Sequence, residues 1–221
     1  EVQDGMIDRF GNQSVKNAFC INHPKFYPFM GNYLKEVAAL FPSSWFHAGL
    51  DEFWNFNLCE RCRKVMHSVL DEEKAFLNHI IRIREVLARC GKRMMMWSDM
   101  FEFYPHVMAD VPQDVVMVDW QYQNDVRFYH GHLLDQAVDD RASFNEKAGF
   151  DTIFAPADHP LSNAPSYLHY AENRKGIGFL VTSWEKSDTF LYRSFPLFCC
   201  MGRMLNGKSM DEAFSDAIKY L

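Results

Sequence analysis

Five short, nearly continuous apolar segments punctuate this chain, and longer amphipathic stretches separate them. The apolar runs are 44–49 (SWFHAG), 93–97 (RMMMW), 115–122 (VVMVDWQY), 151–155 (DTIFA) and 178–184 (GFLVTSW). Runs of this kind suit strands buried on both faces, the condition of a parallel sheet covered by its own crossover helices. The stretches between them read as those helices. Residues 26–41 place Phe29, Tyr33, Val37 and Leu40 on one face, and Pro42 ends them. Residues 58–90 read as one long helix on Val69, Leu70, Phe76, Leu77, Ile80, Ile83 and Leu87, with Gly91 as its stop. Further helices are expected from about Asp99 to Ala109 and over about 131–149, 165–174, 189–205 and 210–221. Ser209 is placed to cap the last, with Asp211 and Glu212 in its first turn.

This alternation defines an α/β chain and leaves two architectures, the doubly wound sheet and the (β/α)8 TIM barrel. No Gly-rich phosphate loop follows any of the strands, which weighs against a dinucleotide fold. The unusual residues decide the matter. Asp51-Glu52, Trp97 with Asp99, Trp120 with Tyr122, and Trp184-Glu185 each fall at the C-terminal end of a strand. A barrel keeps its active site there, so the barrel is the favoured reading.

Composition narrows the partners. Hydrophobic residues at 48% supply a sizeable core, and the net charge of −6 lacks the basic excess of a nucleic-acid binder. No apolar run approaches the ~20 residues that cross a bilayer, so no membrane partner is expected. The first twenty residues show no basic region followed by an apolar block. Of the six cysteines, Cys59 and Cys62 form a C-x-x-C, which is half a zinc site without a second pair. Plain thiols are the preferred reading, with a knuckle completed by His67 or by residues outside the sequence as the alternative. Cys199-Cys200 sits in an apolar helical stretch and reads as core.

Adjacent carboxylates at a strand end point roughly opposite ways, so one of Asp51 and Glu52 can enter a site while the other supports it. Proximity and partial burial raise the pKa of one such acid. A solvated pair opening the next helix is the plain alternative. Three indoles at strand ends, Trp97, Trp120 and Trp184, shift the balance. Sugars stack their C–H faces on such walls while their hydroxyls meet carboxylates. Carbohydrate is therefore the expected substrate class.

The segment 46–52 (FHAGLDE) resembles the H-x-G-G-D-E motif of the family-20 glycoside hydrolases, the β-N-acetylhexosaminidases. Residues 91–99 (GKRMMMWSD) are similar to that family's next strand, 115–120 to the V-x-x-W strand after it, and Trp184-Glu185 to the end of the last barrel strand. The similarity runs in order from about residue 26 to 205. It implies retaining, substrate-assisted removal of terminal β-linked N-acetylhexosamine, in which the substrate's acetamido oxygen forms an oxazolinium intermediate. Glu52 would be the general acid and then the base. Asp51 would hold the acetamido N–H, and Trp97, Trp120 and Trp184 would enclose the sugar. Tyr122 would meet the acetamido oxygen, although the family usually draws that Tyr from the following strand. Glu185 and Asp99 would bind on the substrate side, and His47 would orient the acids or serve as an ordinary strand histidine. Neither metal nor organic cofactor is implied. The other readings are a sugar-binding barrel without turnover and a barrel acting on another sugar through a conventional carboxylate pair.

Several positions depart from the family pattern. Leu50 replaces the second Gly, Phe154 stands where a Tyr is usual with Asp158 as its substitute, Glu185 follows Trp184 directly, and the family's first-strand Arg has no counterpart. In the family the acid pair sits on the fourth strand. Residues 1–221 are therefore expected to form one partial barrel, strands four to eight, with the first three strand–helix units lacking and no second domain. Such a piece is expected to be inactive alone, with an unpaired sheet edge.

Overall fold

The computed structural model describes residues 19–53, 56–128, 141–184 and 190–219. Five parallel strands follow one another in sequence order, each separated from the next by helical segments. The chain divides into two compact units, residues 1–116 and 117–221.

In the first unit, α1 (Phe26–Leu40) leads to β1 (Trp45–His47), a short α2 (Glu60–Arg63), α3 (Val69–Arg89) and β2 (Arg93–Trp97). β1 pairs with β2 in register Trp45↔Arg93 and His47↔Met95. α3 buries Phe76, Ile80, Ile83 and Leu87, the i, i+4, i+7, i+11 stripe that its sequence dictates. Ser68 caps it by accepting the Asp71 N–H, and Gly91 ends it at φ +71° while the Lys92 N–H returns to the Leu87 carbonyl. The single helix expected over 58–90 is thus two. Cys59 caps α2, the Met66 N–H closes it on the Cys62 carbonyl, and Ser68 begins a new helix. The apolar stripe did not reveal this break because α2 is too short to show a period. The helix expected after Asp99 is two 3-10 turns, Asp99–Glu102 and Pro105–Asp110. Pro105 opens the second because it has no N–H to continue the first.

β3 (Val116–Trp120) leads into the second unit, where α4 (Arg141–Lys147), β4 (Thr152–Ala155), α5 (Asn163–Ala171), β5 (Gly176–Phe179), α6 (Phe195–Leu205) and α7 (Met210–Ile218) follow. β3 pairs with β4 from Met117↔Thr152 to Trp120↔Ala155. β4 pairs with β5 through a register irregularity at Thr152/Ile153. β5 starts two residues before the expected segment and stops at Phe179, with an isolated bridge from Ala157 to Thr182 continuing its line. Gly176 starts it because a Cβ there would lie 2.2 Å from the Phe154 ring. Of the helix expected over 131–149, residues 129–140 lie outside the described residues. α6 and α7 share a core of Cys200, Met201, Met204, Ala213 and Ala217, with Cys199 packed against it. Ser209 and Glu212 form a reciprocal capping box on α7.

Candidate active site

In the first unit the loop after β1 is stitched to β2 and the turn beyond it. The Ala48 N–H donates to the Met95 carbonyl (2.8 Å) and the Trp97 N–H to the Gly49 carbonyl (3.1 Å). The Glu52 N–H then donates to Asp99 Oδ2 (3.0 Å) and the Phe53 N–H to Met100 Sδ (3.3 Å). Between these anchors the backbone turns left-handed three times, at Gly49 (φ +75°), Leu50 (φ +72°) and Glu52 (φ +44°). Leu50, where the family motif has glycine, keeps the conformation glycine favours at a cost of about 1 kcal/mol. The curl leaves Asp51 half-buried and Glu52 exposed. Burial raises the Asp51 carboxyl above its ordinary range, and its own backbone N–H draws it partly back.

His47 ends β1 and lies against Trp97, which ends β2, with ring centroids 4.6 Å apart. Its Nδ1 accepts the Gly49 N–H (3.1 Å), so the ring proton sits on Nε2. Burial lowers the imidazole to about 4, which keeps it neutral. Its Nε2 is buried without a hydrogen-bond partner among the described residues. Asp99, at 1% exposure, reaches back to the acid loop rather than outward. A second buried carboxylate escaped the sequence reading. Glu72 on α3 accepts from the Tyr104 hydroxyl (3.0 Å) and from Asn57 Nδ2 (2.8 Å), and so ties down the segment that follows the acids.

In the second unit Trp120, Tyr122 and Trp184 form an aromatic run, with centroids 4.9 Å and 6.3 Å apart. Thr182 Oγ1 donates to the Tyr122 hydroxyl (3.1 Å), while Trp184 is 66% exposed. Glu185 lies outside the described residues. Beneath the run, buried Asp119 accepts from Gln121 Nε2 (3.1 Å) and from the Tyr167 hydroxyl (3.4 Å). Asn163 clasps the loop after β3 by donating to the Gln121 and Gln123 carbonyls (2.9 and 2.6 Å). The alternation of strand and polar loop in the sequence gave no signal of either network. Phe154 is buried in a cluster with Val126, Ala142 and Tyr167. Asp158 is also buried, and its Oδ2 has no partner among the described residues.

For metal chemistry, one group of side chains among the described residues has ligand spacing: Cys20, Cys59 and Cys62. It lies at the start of α2 and just before α1.

Parallel strands in sequence order, separated by helical crossovers, define an α/β chain of the barrel class. Residues 3–159 match the catalytic domain of glycosyl hydrolase family 20, and the chain belongs to that family. It is 29% identical over 181 residues to a beta-hexosaminidase of Vibrio furnissii, covering 79% of this chain and 25% of that protein. A beta-hexosaminidase of Porphyromonas gingivalis is 30% identical over 91 residues, 39% of this chain and 12% of that protein. Among solved structures, the GH20 exo beta-N-acetylglucosaminidase of Vibrio harveyi in complex with N-acetylglucosamine superposes with a TM-score of 0.65 at 19% identity. That match covers 99% of this chain and 37% of the other. The beta-N-acetylhexosaminidase of Bacteroides fragilis gives 0.64 at 20% identity, covering 92% and 44%. These likenesses show the fold, and the five strands are part of a (β/α)8 barrel. The chain spans about a quarter or less of the length of the curated relatives it matches.

Proposed function

We propose that the protein hydrolyses terminal β-linked N-acetylhexosamine with retention, using the substrate's own acetamido group as nucleophile. The observation that carries this reading is the pinned loop after β1. It holds one half-buried and one exposed carboxyl side by side at a strand end. Glu52, reachable by solvent, suits the group that protonates the leaving oxygen and then activates water. Asp51, held in less polar surroundings, suits the group that accepts the acetamido N–H and steadies positive charge as the oxazolinium forms. Trp97, Trp120 and Trp184 would pack on the sugar and its acetamido methyl, with Tyr122 at the acetamido oxygen and Glu185 at the hydroxyls. Asp99 acts through the Glu52 backbone as a positioning residue. His47, neutral and packed on Trp97, would support that indole.

The test is release of the aryl group from an aryl β-N-acetylglucosaminide by the full-length protein. Glu52→Gln should lower kcat by roughly 10²–10⁴ with KM little changed. Asp51→Asn should slow only substrates that carry the acetamido group. A thiazoline mimic of the oxazolinium should bind far more tightly than substrate. Sugar binding without release would leave a carbohydrate-binding barrel. Equal loss on sugars lacking the acetamido group would point instead to a conventional carboxylate pair.

A further inference from the structure

Cys20 precedes α1, whereas Cys59 and Cys62 lie at the start of α2, yet their three sulfurs meet. Cys59 Sγ is 3.4 Å and Cys62 Sγ 3.5 Å from Cys20 Sγ, and all three lie within 4.8 Å of one another. Thiolates about 2.3 Å from one tetrahedral zinc stand about 3.8 Å apart, so the two separations from Cys20 need to open by only a few tenths of an ångström, and the third, at no more than 4.8 Å, exceeds that spacing by about an ångström at most. The separations are far beyond the ~2.0 Å of a disulfide. Two N–H donors point at the sulfurs. The Cys62 backbone N–H donates to Cys59 Sγ (3.4 Å), and Asn22 Nδ2 donates to Cys62 Sγ (3.4 Å). Both donors aim at sulfur as an acceptor, a role that a metal-bound thiolate fills more strongly than a thiol. All three cysteines are buried, at 9%, 7% and 3% exposure.

We propose that Cys20, Cys59 and Cys62 bind one zinc ion. Three soft sulfur donors at this spacing select zinc over magnesium or calcium, which take oxygen. A [4Fe–4S] cluster, whose thiolates each hold a different iron, needs its sulfurs further apart than these. On binding, the three thiols release their protons to solvent and three Zn–S bonds form. These three supply three of the four positions, and no further His, Cys, Asp or Glu joins the group among the described residues. The resulting charge of −1 is eased by the Asn22 amide. The ion would staple the segment before α1 to the one that starts seven residues after Glu52, where the four-residue α2 and the Asn57–Glu72 hydrogen bond hold the described backbone between the acid loop and α3. The Cys59-Cys62 pair, which alone is half a site, is joined by a cysteine about 40 residues earlier. This role is structural and is independent of which sugar, if any, the protein cleaves.

The test is the metal content of the full-length protein, purified under reductant, supplied with zinc and desalted. About one zinc per chain is expected, with loss in Cys59→Ser/Cys62→Ser and no change in Cys200→Ser, whose thiol lies in the α6–α7 core. Cobalt in place of zinc should give sulfur-to-metal charge-transfer bands and the strong visible bands of a four-coordinate ion. Asn22→Ala should weaken zinc affinity roughly 10-fold. If the serine variants do not fold, the wild-type protein still decides the question: zinc should protect these three thiols from alkylation. Zinc well below one equivalent, cobalt spectra without charge transfer, or alkylation indifferent to zinc would each overturn the proposal. So would a Cys59–Cys62 disulfide in metal-free protein that excludes zinc, which would make the group a redox pair.

Discussion

Asp51 and Glu52 are neighbours in sequence and opposites in surroundings, and that difference gives Asp51 a measurable cost. Its carboxyl is raised by burial, so the unfolded chain gives up the proton more readily than the folded one. Above the carboxylate range the fold therefore holds a charge where burial disfavours it, and the cost fades as the pH falls and the group protonates. Asp51→Asn keeps the shape and removes the charge. It should melt above the wild type at pH 7, with the advantage vanishing toward pH 3, as thermal unfolding across that range would show. A variant that melts lower at pH 7 would mean that the carboxylate's hydrogen bonds outweigh its burial. Stability gained with activity lost is the usual trade at a working site. Trp184 lies five residues beyond the end of β5, whereas the placing of Trp97 and Trp120 at strand ends, and of the acid pair in the loop after β1, was legible in the sequence because each follows a short apolar run. The hold of Asp99 on the Glu52 N–H was not, because its partners lie 47 residues apart and only the β1–β2 register brings them together. The same distance problem hid Tyr104 and Asn57 on Glu72, and Tyr167 on Asp119.

The elements were read most securely where burial enforces a period. α3 and the first four strands fall close to their apolar patterns, because a stripe or a run misplaced by one residue would expose core side chains. Boundaries set by single contacts were misread, and β5 is the clearest case. Gly176 faces the edge of the Phe154 ring, which is itself packed against Tyr167, Tyr170 and Phe179. Gly176→Ala would push a Cβ into that ring, and a buried aromatic held on three sides has little room to retreat. The expected cost is about 1–3 kcal/mol, read as a lower urea midpoint at unchanged m-value. A neutral result would mean that the β4–β5 irregularity absorbs the methyl. At the far end of the chain, Ser209 satisfies the Glu212 N–H while Glu212 returns to the Ser209 N–H. Ser209→Ala should cost about 1 kcal/mol and loosen hydrogen exchange in α7 before α6. Here sequence and structure agree because a capping box is local, needing only four consecutive residues.

For the molecule as a whole, acid should act unevenly, because two histidines that the fold keeps neutral, half-buried His47 and buried His79, both lie in the first unit. His47 is lowered to about 4 by burial, and His79 on α3 to about 4 by burial and by the charge of Arg82. His79 Nδ1 meets the Tyr27 hydroxyl at 3.2 Å, and its ring lies against Phe26. In the unfolded chain both rings take up protons near 6.5, while in the fold they resist until about 4. The unfolded state therefore binds more protons across this window, and stability falls as the pH falls through it. The full contribution is present above about 6.5, and on the order of 3 kcal/mol per histidine is lost by about 4. Hydrogen exchange followed by mass spectrometry between these limits should rise first in α3, β1 and β2. His47→Asn and His79→Asn, which keep an acceptor for the Gly49 N–H and the Tyr27 hydroxyl, should each flatten the pH dependence of the global midpoint. The pair together should flatten it by the sum, since no hydrogen bond joins the two rings. A pH profile unchanged in the double variant would assign the acid sensitivity to carboxylates instead. Asp125, held near 2 by the Arg127 guanidinium, then becomes the first candidate, and the loss would move to the second unit.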